Sequence, residues 1–196
     1  TKYYPATDDE KHRLRQQLGI SPSTLTVISI GGCSYIKRHE DILQAIAIAR
    51  NQYPDILYLH LGEGDKTEEE KHLCDSLGIS SVTRFLGNQK DVRPYLIASD
   101  VYVMTSRNEG MPITAIEAMA CGVPSVFYNE QGLRDFNQYG KCSVLVEEQP
   151  AKLAEAILAL RSDQALHQRL VSQARSYVTQ AYDMPTNVRK IFELYQ

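Results

Sequence analysis

Residues 101–128 read VYVMTSRNEGMPITAIEAMACGVPSVFY, and this stretch divides into three parts. The apolar runs 101–104 and 123–128 predict strands. The segment between them predicts a loop followed by a helix over 112–120, with Pro112 at the first helical position. Two strands joined by a helix in this way form a βαβ unit, which gives a parallel sheet with right-handed crossovers.

The same alternation continues over almost the whole chain. Further strands are predicted at 25–30, 55–61, 82–86 and 143–146, and further helices at 8–18, 39–50, 66–77, 92–98, 150–161, 163–181 and 185–195. Asp8 or Asp9 is expected to cap the first helix. We therefore expect an α/β fold: a Rossmann-like, doubly wound parallel sheet of about six strands, with helices on both faces and extra C-terminal helices.

Composition and charge fit one ordinary globular domain. The chain has 196 residues, of which 43% are hydrophobic and 23% are charged, and its formal net charge is −3. At roughly 100–200 residues per domain, this length predicts a single domain over residues 1–196. The chain contains no long run of basic residues, so nucleic acid is not an expected partner.

The four cysteines, Cys33, Cys74, Cys121 and Cys142, are scattered along the sequence. They form no CxxC pair and no histidine stands at ligand spacing from them, so a zinc site is not expected. Small buried thiols in a reducing cytosol are the better interpretation. His60, inside an apolar run, is interpreted as a core or loop histidine. No apolar run is long enough to cross a membrane, which favours a cytoplasmic protein.

Loop 31–38, GGCSYIKR, joins the first strand to a helix. Gly31 and Gly32 allow the backbone to approach a ligand closely, and amides at the helix start favour an anion. The loop is neither GxGxxG nor a Walker A sequence, so the usual dinucleotide and P-loop interpretations fail. Lys37 and Arg38 at a helix N-terminus oppose the helix dipole, which favours a bound phosphate. A tight turn with two solvated cations is the equally good alternative.

Two carboxylates, Glu109 and Glu117, flank the start of the helix in the opening stretch. Their spacing alone means little, because Glu147 and Glu155 are equally far apart. The first pair differs in its position at the carboxyl end of a strand, next to free amides over 110–114 that suit a diphosphate. Carboxylates beside an anion site can accept hydrogen bonds from sugar hydroxyls, the pattern expected for a nucleotide sugar. A capping Glu109 and a solvated Glu117 are the alternative.

The sixteen positions EGMPITAIEAMACGVP, 109–124, resemble the signature of glycosyltransferase family 4, a group of retaining enzymes with the GT-B fold. Further family elements follow in the same order, at 31–37, 62–64, 84–87 and 98–103. The resemblance covers nearly the whole chain and aligns only with the family's C-terminal, donor-binding half. It therefore implies that an N-terminal acceptor domain is absent, in keeping with a chain that begins without Met.

The resemblance implies roles for individual residues. Glu109 and Lys37 would be catalytic, the first holding sugar hydroxyls near the anomeric carbon and the second neutralising the departing diphosphate. Glu117 would accept hydrogen bonds from the ribose. The other expected donor-binding residues are Gly31, Gly32, Arg38, Gly64, Asn88, Gly110, Met111, Pro112, Ile113 and Thr114. A lysine and a helix dipole can stabilise a diphosphate without a divalent ion, so neither a metal nor another cofactor is expected.

One position departs from the family pattern. Members commonly carry an arginine shortly before the loop lysine, and 31–34 offers none, so Arg38 is considered as its substitute. The full-length protein is expected to pass a sugar from a nucleoside-diphosphate sugar to a glycan or lipid-linked acceptor. It would touch a membrane only peripherally, at the inner face, through the missing half. The isolated chain is expected to bind donor without transferring sugar. A non-catalytic nucleotide-sugar binding module and a sugar-nucleotide epimerase of the same fold are the alternatives.

Overall fold

The computed structural model describes residues 2–138, 140–182 and 184–193. The strands are β1 (Leu25–Ile30), β2 (Ile56–Leu61), β3 (Thr83–Phe85), β4 (Val101–Met104), β5 (Ser125–Tyr128) and β6 (Val144–Val146). The helices are α1 (Asp8–Gln17), α2 (His39–Gln52), α3 (Thr67–Ser76), α4 (Arg93–Ala98), α5 (Ile113–Ala120), α6 (Pro150–Ser162), α7 (Gln164–Ala181) and α8 (Met184–Glu193).

The strands form a six-stranded sheet with the order β3-β2-β1-β4-β5-β6. Every pair of neighbouring strands in this sheet is parallel. The order reverses between β1 and β4, because the chain first builds outward in one direction and then returns to the centre to build in the other. In such sheets, ligands bind beyond the carboxyl ends of the two central strands.

Helices cover both faces of the sheet. Along β2, Ile56 and Tyr58 pack in a cluster with α2, α3 and α6, whereas Leu57 and Leu59 pack in a second cluster with α4, α5 and α7. All residues of β1 and β2 are buried, as expected for central strands that are covered on both sides. The predicted doubly wound α/β fold is therefore confirmed.

The element boundaries fall close to the predicted ones, with three instructive differences. Thr7, and neither Asp8 nor Asp9, caps α1: its Oγ1 accepts a hydrogen bond of 3.2 Å from the Glu10 amide. β5 begins two residues later than predicted, because the Val123 amide still bonds back to the preceding helix. Pro112 is the N-cap of α5 rather than its first residue. The end of the helix predicted at 185–195 lies outside the described residues.

Two predictions about buried and membrane-spanning segments can also be compared with the structure. All four cysteines are buried and none forms a disulfide, and His60 is fully buried as a core histidine. Within the part of the chain that the structure describes, no helix has both the length and the apolar character that crossing a bilayer requires.

Candidate functional site

The loops after β1 and β4, residues 31–38 (loop 1) and 105–112 (loop 4), lie side by side at the point where the strand order reverses. The Thr105 hydroxyl donates to the backbone carbonyls of Lys37 at 3.0 Å and Arg38 at 2.9 Å. Thr105 itself is completely buried. The start of loop 4 is therefore fixed against the end of loop 1, so side chains distant in sequence share one crevice.

Lys37 and Glu109, the two residues predicted to be catalytic, form an ion pair in this crevice. Lys37 Nζ lies 2.6 Å from Glu109 Oε1, and the two side chains are 27% and 11% exposed. The lysine stem runs over Gly31, where a Cβ atom would lie 3.4 Å from Lys37 Cδ. On the other side, a Cβ atom on Gly132 would lie 2.0 Å from the carbonyl oxygen of Glu109. The contact at Gly132 thus requires glycine, whereas the lysine stem packs over Gly31 at an ordinary distance.

The N-terminus of α5 opens beside this ion pair. Pro112 is its N-cap and no side chain caps the helix, so amides of the first turn have no intrahelical acceptor. The Thr114 hydroxyl is 2.8 Å from the hydroxyl of Tyr102 and also donates to the Ile30 carbonyl at 3.3 Å, which fixes this side chain against the sheet. The side chains of Met111 and Ile113 are 63% and 62% exposed. Free amides beside a lysine suit an anion.

Glu117 lies in the second turn of α5 and is half-buried. Burial, and after it the charges of Glu109 and Glu117, raises the pKa of Tyr102, opposed by its hydrogen bond with Thr114. Burial and a hydrogen bond with Glu117 likewise raise the pKa of Tyr3. The charges of both carboxylates therefore act on one buried tyrosine, although they belong to a loop and a helix.

Two of the predicted glycines, one in loop 1 and one in the loop after β2, allow these two loops to pack closely against each other. A Cβ atom on Gly32 would lie 2.9 Å from the carbonyl oxygen of Glu63, and one on Gly64 would lie 2.2 Å from that of Cys33. Asn88, exposed after β3, has its side-chain amide 3.5 Å from a Glu63 carboxylate oxygen. Gly110 is exposed, and a Cβ atom there would meet nothing within 4 Å. The structure thus gives Gly32 and Gly64 a packing role.

Arg38 is not brought into contact with the Lys37–Glu109 pair. Its guanidinium pairs with Asp41 at 3.0 Å and with Glu148, and it lies 5.3 Å from the centroid of the Tyr128 ring. Its role as a substitute for the absent loop arginine stays a prediction, and the side chain would have to leave these partners to fulfil it.

Sequence reasoning missed a buried polar cluster next to loop 1. It consists of Cys33, His39, His60 and Glu70, whose potential ligand atoms all lie within 4.8 Å of one another. Burial lowers the pKa of His60 to about 4, so its ring is neutral at pH 7. The rejection of a metal site rested on spacing along the chain, which cannot reveal a contact among a loop, a strand and two helices. A histidine inside an apolar strand was the available signal.

A sequence model of the family described as "Glycosyl transferases group 1" matches residues 10–177 of this chain. Among curated relatives, N-acetyl-alpha-D-glucosaminyl L-malate synthase of Bacillus anthracis is 30% identical over 171 residues, which cover 87% of this chain and 45% of that protein. D-inositol 3-phosphate glycosyltransferase of Corynebacterium urealyticum is 30% identical over 205 residues, covering 100% and 48%. The chain spans about half the length of the curated relatives it matches.

Solved structures have the same fold. HepE of Anabaena, crystallised in complex with UDP and glucose, superposes with a TM-score of 0.88 at 24% identity, covering 98% of this chain and 53% of that one. The C-terminal domain of LpcC, a group 1 family protein from Francisella tularensis, superposes with a TM-score of 0.80 at 22% identity, covering 92% and 96%. At these identities the likeness establishes the architecture.

Proposed function

The chain belongs to the glycosyl transferases of group 1, and we propose that it is the C-terminal, donor-binding domain of a retaining family 4 enzyme of the GT-B type. Its substrate is a nucleoside-diphosphate sugar, from which the longer protein passes the sugar to a glycan or lipid-linked acceptor. Membership of this family does not favour the sugar-nucleotide epimerase or the non-catalytic binding module.

The observation that carries this proposal is the Lys37–Glu109 ion pair beside the uncapped start of α5. A lysine and free helix amides suit the two phosphates of the donor. The carboxylate next to them can accept hydrogen bonds from hydroxyls of the transferred sugar. Without a donor the two side chains neutralise each other. We infer that the diphosphate takes over Lys37 and leaves Glu109 to the sugar.

The same geometry supports separate roles for the residues of the site during sugar transfer. When the bond between the sugar and the diphosphate breaks, negative charge develops on the departing phosphate, next to Lys37 and the α5 amides. One such preorganised group contributes roughly 10²–10³-fold to the rate. Glu117, farther along α5, would hold the ribose, and the backbone around Asn88 would lie near the base. In this proposal no metal acts on the diphosphate.

The acceptor belongs to a part of the protein that this chain does not include. The chain matches about half of each relative's length, and it covers 96% of the separately crystallised LpcC domain. These shares support a two-domain enzyme whose other half binds the acceptor and makes any peripheral contact with a cytoplasmic membrane face. The present chain should then bind donor and transfer nothing.

A thermal-shift titration with UDP, GDP and ADP tests the donor site directly. UDP is the first choice because HepE was crystallised with it. A nucleotide at ~100 times its dissociation constant stabilises the folded state by ~2.7 kcal/mol, which raises Tm by several degrees. We expect Glu117→Ala to abolish this shift and Glu155→Ala to retain it.

Glu155 is a matched control, since it stands at the same spacing from another glutamate and lies on an exposed helix surface with Lys152 at 2.9 Å. An equal shift in wild type and Glu117→Ala would contradict the ribose role. No shift with any of the three nucleotides would contradict the donor site itself.

A further inference from the structure

Four buried side chains converge on the face of the sheet that carries α2 and α3. We propose that Cys33, His39, His60 and Glu70 form a structural zinc site behind loop 1. Each is at most 3% exposed. None of the four is among the residues proposed to hold the donor, so the inference does not rest on the proposed function.

The cluster already has nearly the dimensions of a tetrahedral site. Cys33 Sγ lies 3.2 Å from His60 Nε2, and His39 Nδ1 lies 3.2 Å from Glu70 Oε1. With Zn–N of ~2.0–2.1 Å and Zn–S of ~2.3 Å, neighbouring ligand atoms in a tetrahedron are about 3.3–3.6 Å apart. No two of the four ligand atoms are more than 4.8 Å apart, so the most separated pair would have to approach by at most about 1.5 Å for all four to bind one ion.

The environment of His60 resembles the outer shell of a zinc-binding histidine. Its Nδ1 lies 3.2 Å from the Tyr58 hydroxyl and 3.3 Å from the Ser29 hydroxyl. In the tautomer that carries its proton on Nδ1, either oxygen can accept that proton, and the lone pair of Nε2 is then directed towards Cys33. Histidines that bind metals usually donate their second ring N–H in this way, which fixes the tautomer and the ring orientation.

The charges and hydrogen bonds of the cluster are compatible with a bound cation. Glu70 Oε2 is buried and has no hydrogen-bond partner among the described residues, an arrangement that is costly for a carboxylate. A Zn²⁺ ion with one thiolate, one carboxylate and two neutral imidazoles has no net charge, which suits a buried position. On binding, the Cys33 thiol gives its proton to solvent, as metal-bound cysteines do.

One member of the cluster, Glu70, also lines a surface pocket. A surface pocket of about 230 Å³ reaches Glu70 and is lined by Glu40, Lys66, Glu69, Glu70 and Leu73. Three of these residues are glutamates and one is a lysine, so the lining is acidic beside Glu70. Because the Cys33 carbonyl already accepts a 3.1 Å bond from the Lys66 amide, the ion would join loop 1 to the start of α3 a second time.

Metal analysis of the purified chain tests the proposal. After dialysis against metal-free buffer, the wild type should retain stoichiometric zinc, and zinc should raise the Tm of protein stripped with a chelator. Cobalt(II) added to stripped protein should give the strong visible bands of a tetrahedral ion and a thiolate-to-cobalt band in the near ultraviolet.

Matched variants then identify the ligands. Cys33→Ser should lose the thiolate band, whereas Cys121→Ser, the same change at another buried cysteine, should keep it. Tyr58→Phe should weaken zinc binding roughly 10–100-fold through the outer shell. A wild-type cobalt spectrum like that of the aqueous ion would overturn the proposal, and so would a thiolate band that persists in Cys33→Ser. The wild-type spectrum is decisive even if a variant does not fold.

Discussion

Among the ion pairs that connect distant parts of this chain, two lie at opposite ends of the strands. At the amino ends, Arg15 Nη1 lies 3.1 Å from Asp100 Oδ2. At the carboxyl ends, Lys37 Nζ lies 2.6 Å from Glu109 Oε1. The two pairs differ in how completely their remaining hydrogen-bonding groups are used.

The pair at the amino ends is nearly saturated. Arg15 also donates to the carbonyls of Ala98 at 3.0 Å and Ser21 at 2.7 Å. Asp100 accepts the Thr26 amide at 2.9 Å and a further bond from a lysine of α1. Despite burial, which acts in the opposite direction, these positive and donating partners hold the pKa of Asp100 below its usual range. Arg15 Nε is the exception, since it is buried without a hydrogen-bond partner among the described residues. With its other groups occupied, this pair joins α1 to the sheet.

The pair at the carboxyl ends is the opposite case. Within the described residues, the contact at 2.6 Å is the one hydrogen bond that either charged group makes. Lys37 can donate two more hydrogen bonds and Glu109 can accept several. A pair that is held in place by its loops but left unsaturated is suited to binding. The contrast indicates that a site can be recognised by its unused hydrogen-bonding capacity rather than by charge alone.

The largest expected effect is on stability, at the saturated pair. Asp100→Ala leaves the buried Arg15 guanidinium without its carboxylate, a change that costs ~3–5 kcal/mol. In a domain of this size Tm should fall by roughly 6–20 °C. Chemical denaturation at pH 7 measures the loss, and the UDP affinity of the folded protein should be unchanged. A decrease in the unfolding free energy below ~1 kcal/mol would contradict the role of this pair in joining α1 to the sheet.

Lys37→Ala should have the opposite effect, weakening UDP binding while leaving stability nearly unchanged. Its effect on the free energy of binding should be smaller than the effect of Asp100→Ala on the free energy of unfolding. Stability should remain within ~1 kcal/mol of wild type, because the pair is partly exposed. UDP affinity should fall roughly 10–100-fold through the loss of a charged hydrogen bond, ~1.5–3 kcal/mol. Calorimetric titration with UDP and with uridine separates the phosphate contact from the rest of the ligand.

Lys66→Ala is the control for that experiment, since Lys66 precedes α3 and pairs with Glu69 at 2.7 Å. It should bind UDP like wild type. Equal losses of UDP and uridine binding in Lys37→Ala would argue against a role at the phosphates.

The smallest effect is the acid dependence of stability. Because the pKa of Asp100 is lower in the folded than in the unfolded protein, its contribution is complete above the unfolded pKa of ~3.9. It is lost as the pH falls through the folded value. Between about pH 5 and pH 3, the unfolding free energy of wild type should therefore fall more than that of Asp100→Ala. Parallel curves in urea titrations would contradict this assignment.

Much of the fold was accessible from sequence because its determinants are local. The run 101–104 is apolar at every position, as a strand buried on both faces must be, and the structure has a strand with the same bounds. The first helix shows the limit of this reasoning. Any of three neighbouring residues could cap it chemically, and the observed cap is Thr7, from which the helix geometry places the Glu10 amide at 3.2 Å.

The sequence predicts which loops form the site, but it does not predict which side chains contact each other there. Lys37 and Glu109 were both identified from sequence, but their contact depends on which strands lie next to each other. Arg38 is predicted to face a donor, whereas it pairs with Glu148, 110 residues later in the chain. The side chain's direction follows from a backbone φ of +58°, which sequence does not reveal for an arginine. Tertiary contacts of this kind can be identified only when the fold is known.

Gly132 has a practical consequence for anyone who wishes to redesign this domain. Its φ of +82° and the 2.0 Å that would separate a Cβ atom from the Glu109 carbonyl oxygen mean that a side chain there would displace loop 4. A mutational library would score this position as intolerant although it need not touch a ligand. Diversity is better placed at Met111 and Ile113, whose side chains are exposed.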